Sequence, residues 1–368
     1  MNRVAVQCIK ELRQFVRDRL SVALAFGLPA LSMLLYGFAT RLEIKNIPLV
    51  VQNLDNSALS RSFIERLYTN EQFVPVRCPG GDLVKTVLNR GIAEAVVIIP
   101  PEFARKLRAG LPSPVEALID GTDVNNARVI KNSIIATTNS FLDIEGLSPF
   151  RPLIHPQVRL WFNPGRKESL FVVPGAFGIV LLIYPALLCA LAMARETEQG
   201  TILQIYASSL TASEFILGKV AAYVIVGIAE TLLVLLIGFV VFHLSVAGDA
   251  LLFTLGTLLY LIDACLYGLM IAVGAKTQNA AVQAVAFGGF TPALLLSGYL
   301  YPVRNIRYPF NLVADFVPAR YYIELSRDTF VRGAGWAGQW FVPVFLTLVG
   351  LLLFRIARKR LGRMQISA

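Results

Sequence analysis

The sequence predicts an α-helical polytopic membrane protein of six transmembrane helices, with an α/β extracytoplasmic domain inserted after the first. Three observations carry this reading. Apolar residues make up 55% of the 368-residue chain, its mean hydropathy is +0.61, and charged residues are only 16%, where a typical globular chain has about 25%. The apolar excess gathers in blocks of about 19–26 residues, long enough to cross a hydrocarbon core about 30 Å thick. Between the first two blocks lies a hydrophilic segment too long to be a structureless loop.

The blocks predict spans at 21–39, 171–194, 220–242, 250–275, 279–300 and 337–354. The chain carries a net charge of +10, and its basic residues cluster beside spans. Arg3, Lys10, Arg13, Arg17 and Arg19 precede the first, and Arg355, Arg358, Lys359, Arg360 and Arg363 follow the last. That placement is the positive-inside pattern, not a nucleic-acid surface, and it puts both termini in the cytoplasm. Gly37-Phe38-Ala39 resembles a cleavage site. The charged stretch before it and the length of the apolar block favour an uncleaved anchor. Within 1–40, residues 4–20 repeat Ala5, Ile9, Leu12, Val16 and Leu20 at helical spacing, with Lys10, Arg13 and Arg17 on another face. Such a helix suits the lipid interface; packed on a partner, it would instead be a solvated helix.

Residues 41–168 alternate strand and helix patterns. Strands are predicted at 47–51, 73–76, 93–99, 115–119 and 158–162, and helices at 57–69, after Gly80-Gly81-Asp82, at 102–109 and at 122–144. Alternation of this kind predicts a small α/β domain, and the span count places it outside the cytoplasm. No catalytic constellation occurs. The only histidines are His155 and His243, so no HExxH or His-rich metal site is available. Asp120-Gly121-Thr122-Asp123 reads as a turn that ends a strand and caps the next helix. The four cysteines (Cys8, Cys78, Cys189, Cys265) are too scattered to form a disulfide framework.

The connection between spans two and three, 195–219, is the most informative stretch. It holds Arg195, Glu196, Glu198, Gly200 and Thr201, then Ser208-Ser209-Leu210, Glu214 and Gly218-Lys219. Charges of both signs suit a docking segment or a solvated face. The string RETEQGT…SLTASEFILGK resembles the signature of the ABC transporter type 2 permeases. So do Phe162-Asn163-Pro164 with Phe171-Val172-Val173-Pro174-Gly175, Ser297-Gly298 with Pro302, and Val317-Pro318-Ala319-Arg320-Tyr321-Tyr322 with Arg327 and Gly333. The likeness covers nearly the whole chain and points to the exporters with an enlarged extracytoplasmic domain. One departure is Ser209-Leu210, where many relatives carry Ser-Pro or Thr-Pro.

The resemblance implies that 195–219 couples to an ATPase, with Arg195, Glu196, Glu198, Gly200, Thr201, Glu214, Gly218 and Lys219 as the coupling residues. Glu196 and Glu198 would pair with basic groups on that partner, and Gly200 would let the chain turn into the docking helix. The chain itself has no phosphate-cradling loop: Gly218-Lys219 is followed by Val220, and Ser213 stands where the first glycine belongs. ATP and Mg²⁺ therefore belong to a separate cytoplasmic ABC ATPase subunit. The other partners implied are a second permease copy or a related permease in a dimer, a periplasmic adaptor and membrane lipid, within a bacterial inner membrane.

Glu230 and Asp263 fall inside spans three and four. A carboxylate there costs about 2.5–3.5 kcal/mol on insertion scales, so each should face protein or water. Tyr260 and Tyr267 flank Asp263 at helical spacing and could hydrogen-bond it. One reading makes Glu230, Tyr260, Asp263 and Tyr267 the translocation path of an exporter for amphipathic or drug-like molecules. Another makes them a structural clasp. A third uses the carboxylates as ion sites of a secondary transporter. Residues 301–336 are polar, interrupted by proline and rich in aromatics, which suits short re-entrant helices and an interfacial aromatic belt.

Overall fold

The computed structural model describes residues 3–39, 46–69, 72–76, 87–147, 161–163, 167–203 and 210–364. They divide into two compact units, Met1–Thr40 with Leu160–Ala368 and, separately, Arg41–Arg159.

The first unit is helical. Its elements are α1 (Arg3–Arg17), α2 (Arg19–Ala39), α6 (Ser169–Glu198), α7 (Ala212–Val240), α8 (Ala250–Ala272), α9 (Gln278–Val285), α10 (Thr291–Leu296), α11 (Phe310–Ala314), α12 (Pro318–Arg327), α13 (Gly335–Gln339) and α14 (Phe341–Met364). Among the described residues six stretches are long and apolar enough to cross a membrane: α2, α6, α7, α8, the run Gln278–Leu296 and Phe341–Gly362. The fifth joins α9 to α10 through a π-helical stretch, Ala286–Phe290. The sixth starts at Phe341, not at 337, because Gly335–Gln339 closes into its own short helix. Pro343 then falls in the first turn of α14, where no amide hydrogen is needed.

The packing order follows from composition. α6 is apolar on every side, and 78% of its most apolar window is buried, against 17% for α2 and for the fifth span. A helix apolar all round belongs at the centre. α8 lies against it so closely that a Cβ on Gly268 would sit 2.0 Å from the Ala186 carbonyl oxygen. Cys189 on α6 and Cys265 on α8 are both fully buried.

α1 is amphipathic as predicted, with an unusual exposure. Val6, Ile9 and Val16 are exposed, while Gln7, Glu11 and Phe15 are buried. Its apolar stripe is thus turned away from the protein, as an interfacial helix requires.

Residues 301–336 form the short helices α11, α12 and α13 with a π-helical turn, Asp328–Arg332. The aromatics divide. Tyr308, Phe310 and Phe316 are exposed, whereas Tyr322 and Phe330 are core residues. Tyr322 stacks on Tyr260 at 4.2 Å, and Phe330 packs edge-on against Phe177 and Phe253.

The second unit holds β1 (Ile47–Asn53), α3 (Ala58–Thr69), β2 (Phe73–Pro75), β3 (Ala95–Ile99), α4 (Phe103–Arg108), β4 (Glu116–Ile119) and α5 (Val124–Ile144). The sheet order is β2-β1-β3-β4, with β1 parallel to β2 and β3, and β4 antiparallel to β3. Leu49 and Val97, both buried, alternate with neighbours packed on the other face, so the sheet is covered on two sides. Asp120 accepts the amide and hydroxyl hydrogens of Thr122, and Asp123 accepts the Asn126 amide, which is the turn-and-cap reading. The helix predicted after Gly80, up to residue 86, and residues 158–160 of the last predicted strand lie outside the described residues. Trp161 and Phe162 are not strand; Phe162 sits at φ +66°, which an extended chain cannot adopt.

Candidate functional site

Of the predicted coupling residues, three fall on the last turn of α6 and three on the first turns of α7, not on a free loop. α6 runs on to Glu198 and α7 begins at Ala212, capped by Thr211 and Glu214 in a reciprocal box. Gly200 has φ +69°, and its amide reaches back to the Thr197 carbonyl. It therefore terminates α6 as a left-handed cap instead of opening a docking helix. Thr201 donates its hydroxyl to the Glu196 carbonyl oxygen and adds to that cap.

Lys219 is wholly buried beneath α1. Its Nζ lies 2.9 Å from Glu11 Oε2 and 3.3 Å from Glu196 Oε2, and donates to the Ala192 carbonyl. Lys10 Nζ closes the figure, 2.6 Å from Glu196 Oε1 and 3.3 Å from Glu11 Oε1. Two carboxylates and two ammonium groups thus alternate with no net charge. Only Lys219–Glu196 stands in ion-pair range without hydrogen-bond geometry. Burial opposes the Lys10 charge, but the Glu196 and Glu11 carboxylates outweigh it and hold its pKa above the ordinary value. Gly218 makes room for the quartet: a Cβ there would lie 2.6 Å from the Gln7 side chain. Gln7 in turn donates to Glu11 at 2.9 Å.

This corrects one expectation. Glu196 is buried among lysines of its own chain, so it is not available to a partner. The neighbouring residues of the same turn address other elements. Arg195 donates to Asp18 at 2.7 Å, at the corner between α1 and α2. Asp18 also accepts from the Ser21 hydroxyl and from the Leu20 and Ser21 amides. The Ser21 and Arg195 hydrogen bonds hold its pKa down at about 2. Glu198 is exposed and accepts from the backbone and side chain of Gln278, at the start of α9. One helical turn therefore ties α6 to α1, α2, α7 and α9.

The four residues read as a translocation path are placed in helix contacts. Tyr260 donates to the Gly178 carbonyl at 2.6 Å, not to Asp263. Asp263 faces Gly350 on α14, where a Cβ would sit 2.6 Å from its Oδ1. Tyr267 covers Gly288 and Gly289 and does not bond Asp263 either. The tyrosines fail as partners because backbone carbonyls and glycine faces lie nearer. Glu230 is fully buried, and both its oxygens lack a hydrogen-bond partner among the described residues. A separate cavity of about 220 Å³ opens between α2, α6 and the fifth span, lined by Tyr36, Ile183, Tyr184, Leu187 and Phe290.

Sequence reading gave Arg327 no role. Its guanidinium donates to the carbonyls of Phe171, Gly298 and Tyr299 and stacks 3.7 Å over the Phe171 ring. It thereby joins the start of α6, the end of the fifth span and α12. Three quoted motifs meet at this one side chain, which was the available signal. Among the described residues no cluster of metal-ligating side chains occurs.

Five apolar helices around a central α6, with a polar hub at one end of it, define a multi-pass membrane protein of the permease type. The chain belongs to the ABC-2 family of transporter proteins, whose sequence profile matches residues 20–358. It is 26% identical to the probable multidrug ABC transporter permease YbhS of Escherichia coli K12 over 98% of this chain and 95% of that one. It is also 26% identical to the probable multidrug ABC transporter permease YbhR of the same strain, over 95% and 97%. A third relative, the inner membrane transport permease YhhJ, is 26% identical over 97% of each chain.

Proposed function

We propose that this chain is the membrane subunit of an ATP-driven exporter, powered by a separate ABC ATPase and working as a homodimer or with a related permease. The observation that carries the reading is the last turn of α6, where Arg195, Glu196 and Glu198 reach three different neighbours. A push on this turn is delivered to α1, α2, α7 and α9 together, which is what a motion imposed from outside the membrane needs. An ATPase can bias the permease only through contacts that differ between its own states. The exposed residues Glu198 and Thr211 with Glu214 are the proposed contact surface; the buried quartet is the joint behind it. ATP and Mg²⁺ would be held by that ATPase.

The proposed cargo is an amphipathic or drug-like molecule, supported by the names of the two multidrug relatives and by the apolar cavity beside α6. Both termini would lie in the cytoplasm and residues 41–168 outside it, in a bacterial inner membrane, with a periplasmic adaptor as a further partner of that domain. The unpartnered carboxylate of Glu230 supports a second reading, ion-coupled transport. Reconstitution separates them. Proteoliposomes holding the chain and its co-purifying ATPase should export an amphipathic dye with ATP and no ion gradient. Export driven by a proton or sodium gradient without ATPase would establish the alternative.

A further inference from the structure

We propose that the Arg41–Arg159 unit carries its own binding pocket for a compact, largely apolar molecule with a single hydrogen-bonding group. A cavity of about 330 Å³ lies between α5, α4 and the edge strand β4. Ligand pockets span about 300–1,000 Å³, so this one has the size for a small ring system. Its floor is three phenylalanines: Phe63 and Phe103 lie 6.0 Å apart, and Phe63 and Phe141 5.1 Å apart. All three are buried, and Ile134 and Leu142 continue the wall.

Ala117, opposite Val97 in the β3–β4 pairing, lines the cavity with only a methyl group. An apolar void forfeits the dispersion contacts that its lining would make, and water gains little by entering it. Three polar residues interrupt the apolar lining, Ser113, Thr138 and Asn139; the Thr138 hydroxyl is spent on the Ile134 carbonyl and Asn139 is exposed, which leaves Ser113. Ser113 Oγ is shielded from solvent and has no hydrogen-bond partner among the described residues. It stands between Pro112 and Pro114, neither of which has an amide hydrogen to offer. A buried hydroxyl without a partner is costly, and a ligand hydroxyl or carbonyl would satisfy it while its rings cover the phenylalanines. The pocket is built within one unit and owes nothing to ATP-driven transport.

The test uses the full chain in phosphatidylcholine nanodiscs, without any ATPase, and 1-naphthol as the probe. Ser113→Cys is modified with benzyl methanethiosulfonate, and the extent at position 113 is read by mass spectrometry. Naphthol at about four times its Kd should slow the reaction about fivefold by occupancy. Ser62→Cys, on the outer side of α3, should react at an unchanged rate. Ala117→Trp should fill the pocket and abolish the protection. Hydrogen exchange on the unsubstituted chain gives a readout independent of any variant. There, naphthol should slow exchange in 111–117 and 134–142 but not in 87–93, which lies on the other face of the sheet. Absence of protection, equal protection at Ser62→Cys, or protection that survives Ala117→Trp would overturn the pocket, as would unchanged hydrogen exchange.

Discussion

Lys219 Nζ lies 2.9 Å from Glu11 Oε2, a contact between residues 208 positions apart, with both side chains at most 1% exposed. The amphipathic helix at the start of the chain is therefore fastened to the third span by a buried charge pair, and through Glu196 to the second. Removing one member of such a set leaves a stranded charge, which costs about 3–5 kcal/mol, whereas removing a matched pair costs far less.

Lys219→Met should accordingly lower the thermal unfolding midpoint sharply in detergent and leave α1 open to proteolysis. The double variant Glu11→Gln with Lys219→Met should recover much of the loss, since Lys10 and Glu196 stay paired. Equal midpoints for Lys219→Met and the unsubstituted protein would show that the quartet is not buried as described.

Gly268→Ala tests the central packing. The added methyl would occupy the space of the Ala186 carbonyl oxygen, so α6 and α8 must separate. Overpacking of this kind costs about 1–3 kcal/mol. The expected result is a lower midpoint and reduced yield of monodisperse protein; Gly27→Ala, with open space around it, should be neutral.

The Asp18–Arg195 tie predicts a pH dependence of definite sign. Asp18 is held down to about 2 from an ordinary 3.8, so its contribution is complete above pH about 4. It is lost as the pH falls from there toward 2, when the folded carboxylate takes up its proton. Stability differences between the protein and Asp18→Asn should be constant from pH 5 to 8 and shrink only below about 4. A difference that varied between pH 6 and 8 would assign the titration to another group.

Glu196 and Glu198 should part company in function. Glu196→Lys puts a third cation into the quartet and should prevent accumulation of folded protein. Glu198→Lys, at an exposed position, should fold and insert normally but reduce ATP-dependent export at matched expression. Normal folding of Glu196→Lys contradicts the buried assignment. Normal export by Glu198→Lys removes that residue from the proposed coupling surface.

How much of this was legible follows from the range of each interaction. The six spans and the strands at 47–51 and 95–99 depend on local apolar runs, and those are written in consecutive residues. The start of the sixth span was missed because Gly335 to Gln339 form a separate turn, which hydropathy averaging blurs. The quartet was invisible: Glu11 is a lone acid in a basic helix, and nothing local to it names Lys219. The tyrosines were misassigned for a related reason. Tyr260 is satisfied by the backbone carbonyl of Gly178, and backbone acceptors leave no trace in residue identities. Asp120 and Asp123 were read well because a cap involves only residues two or three positions away.

The turn that ends α6 also limits how this protein can change in length. Arg195, Glu196 and Glu198 point at three different neighbours because each residue advances the helix by about 100°. Inserting or deleting one residue between Met193 and Arg195 would rotate all three side chains at once, away from the neighbours they now meet. No single substitution could restore the set. Drift in length should accordingly collect on the far side of Gly200, where the helix has already ended, while the turn itself is kept to a fixed residue count.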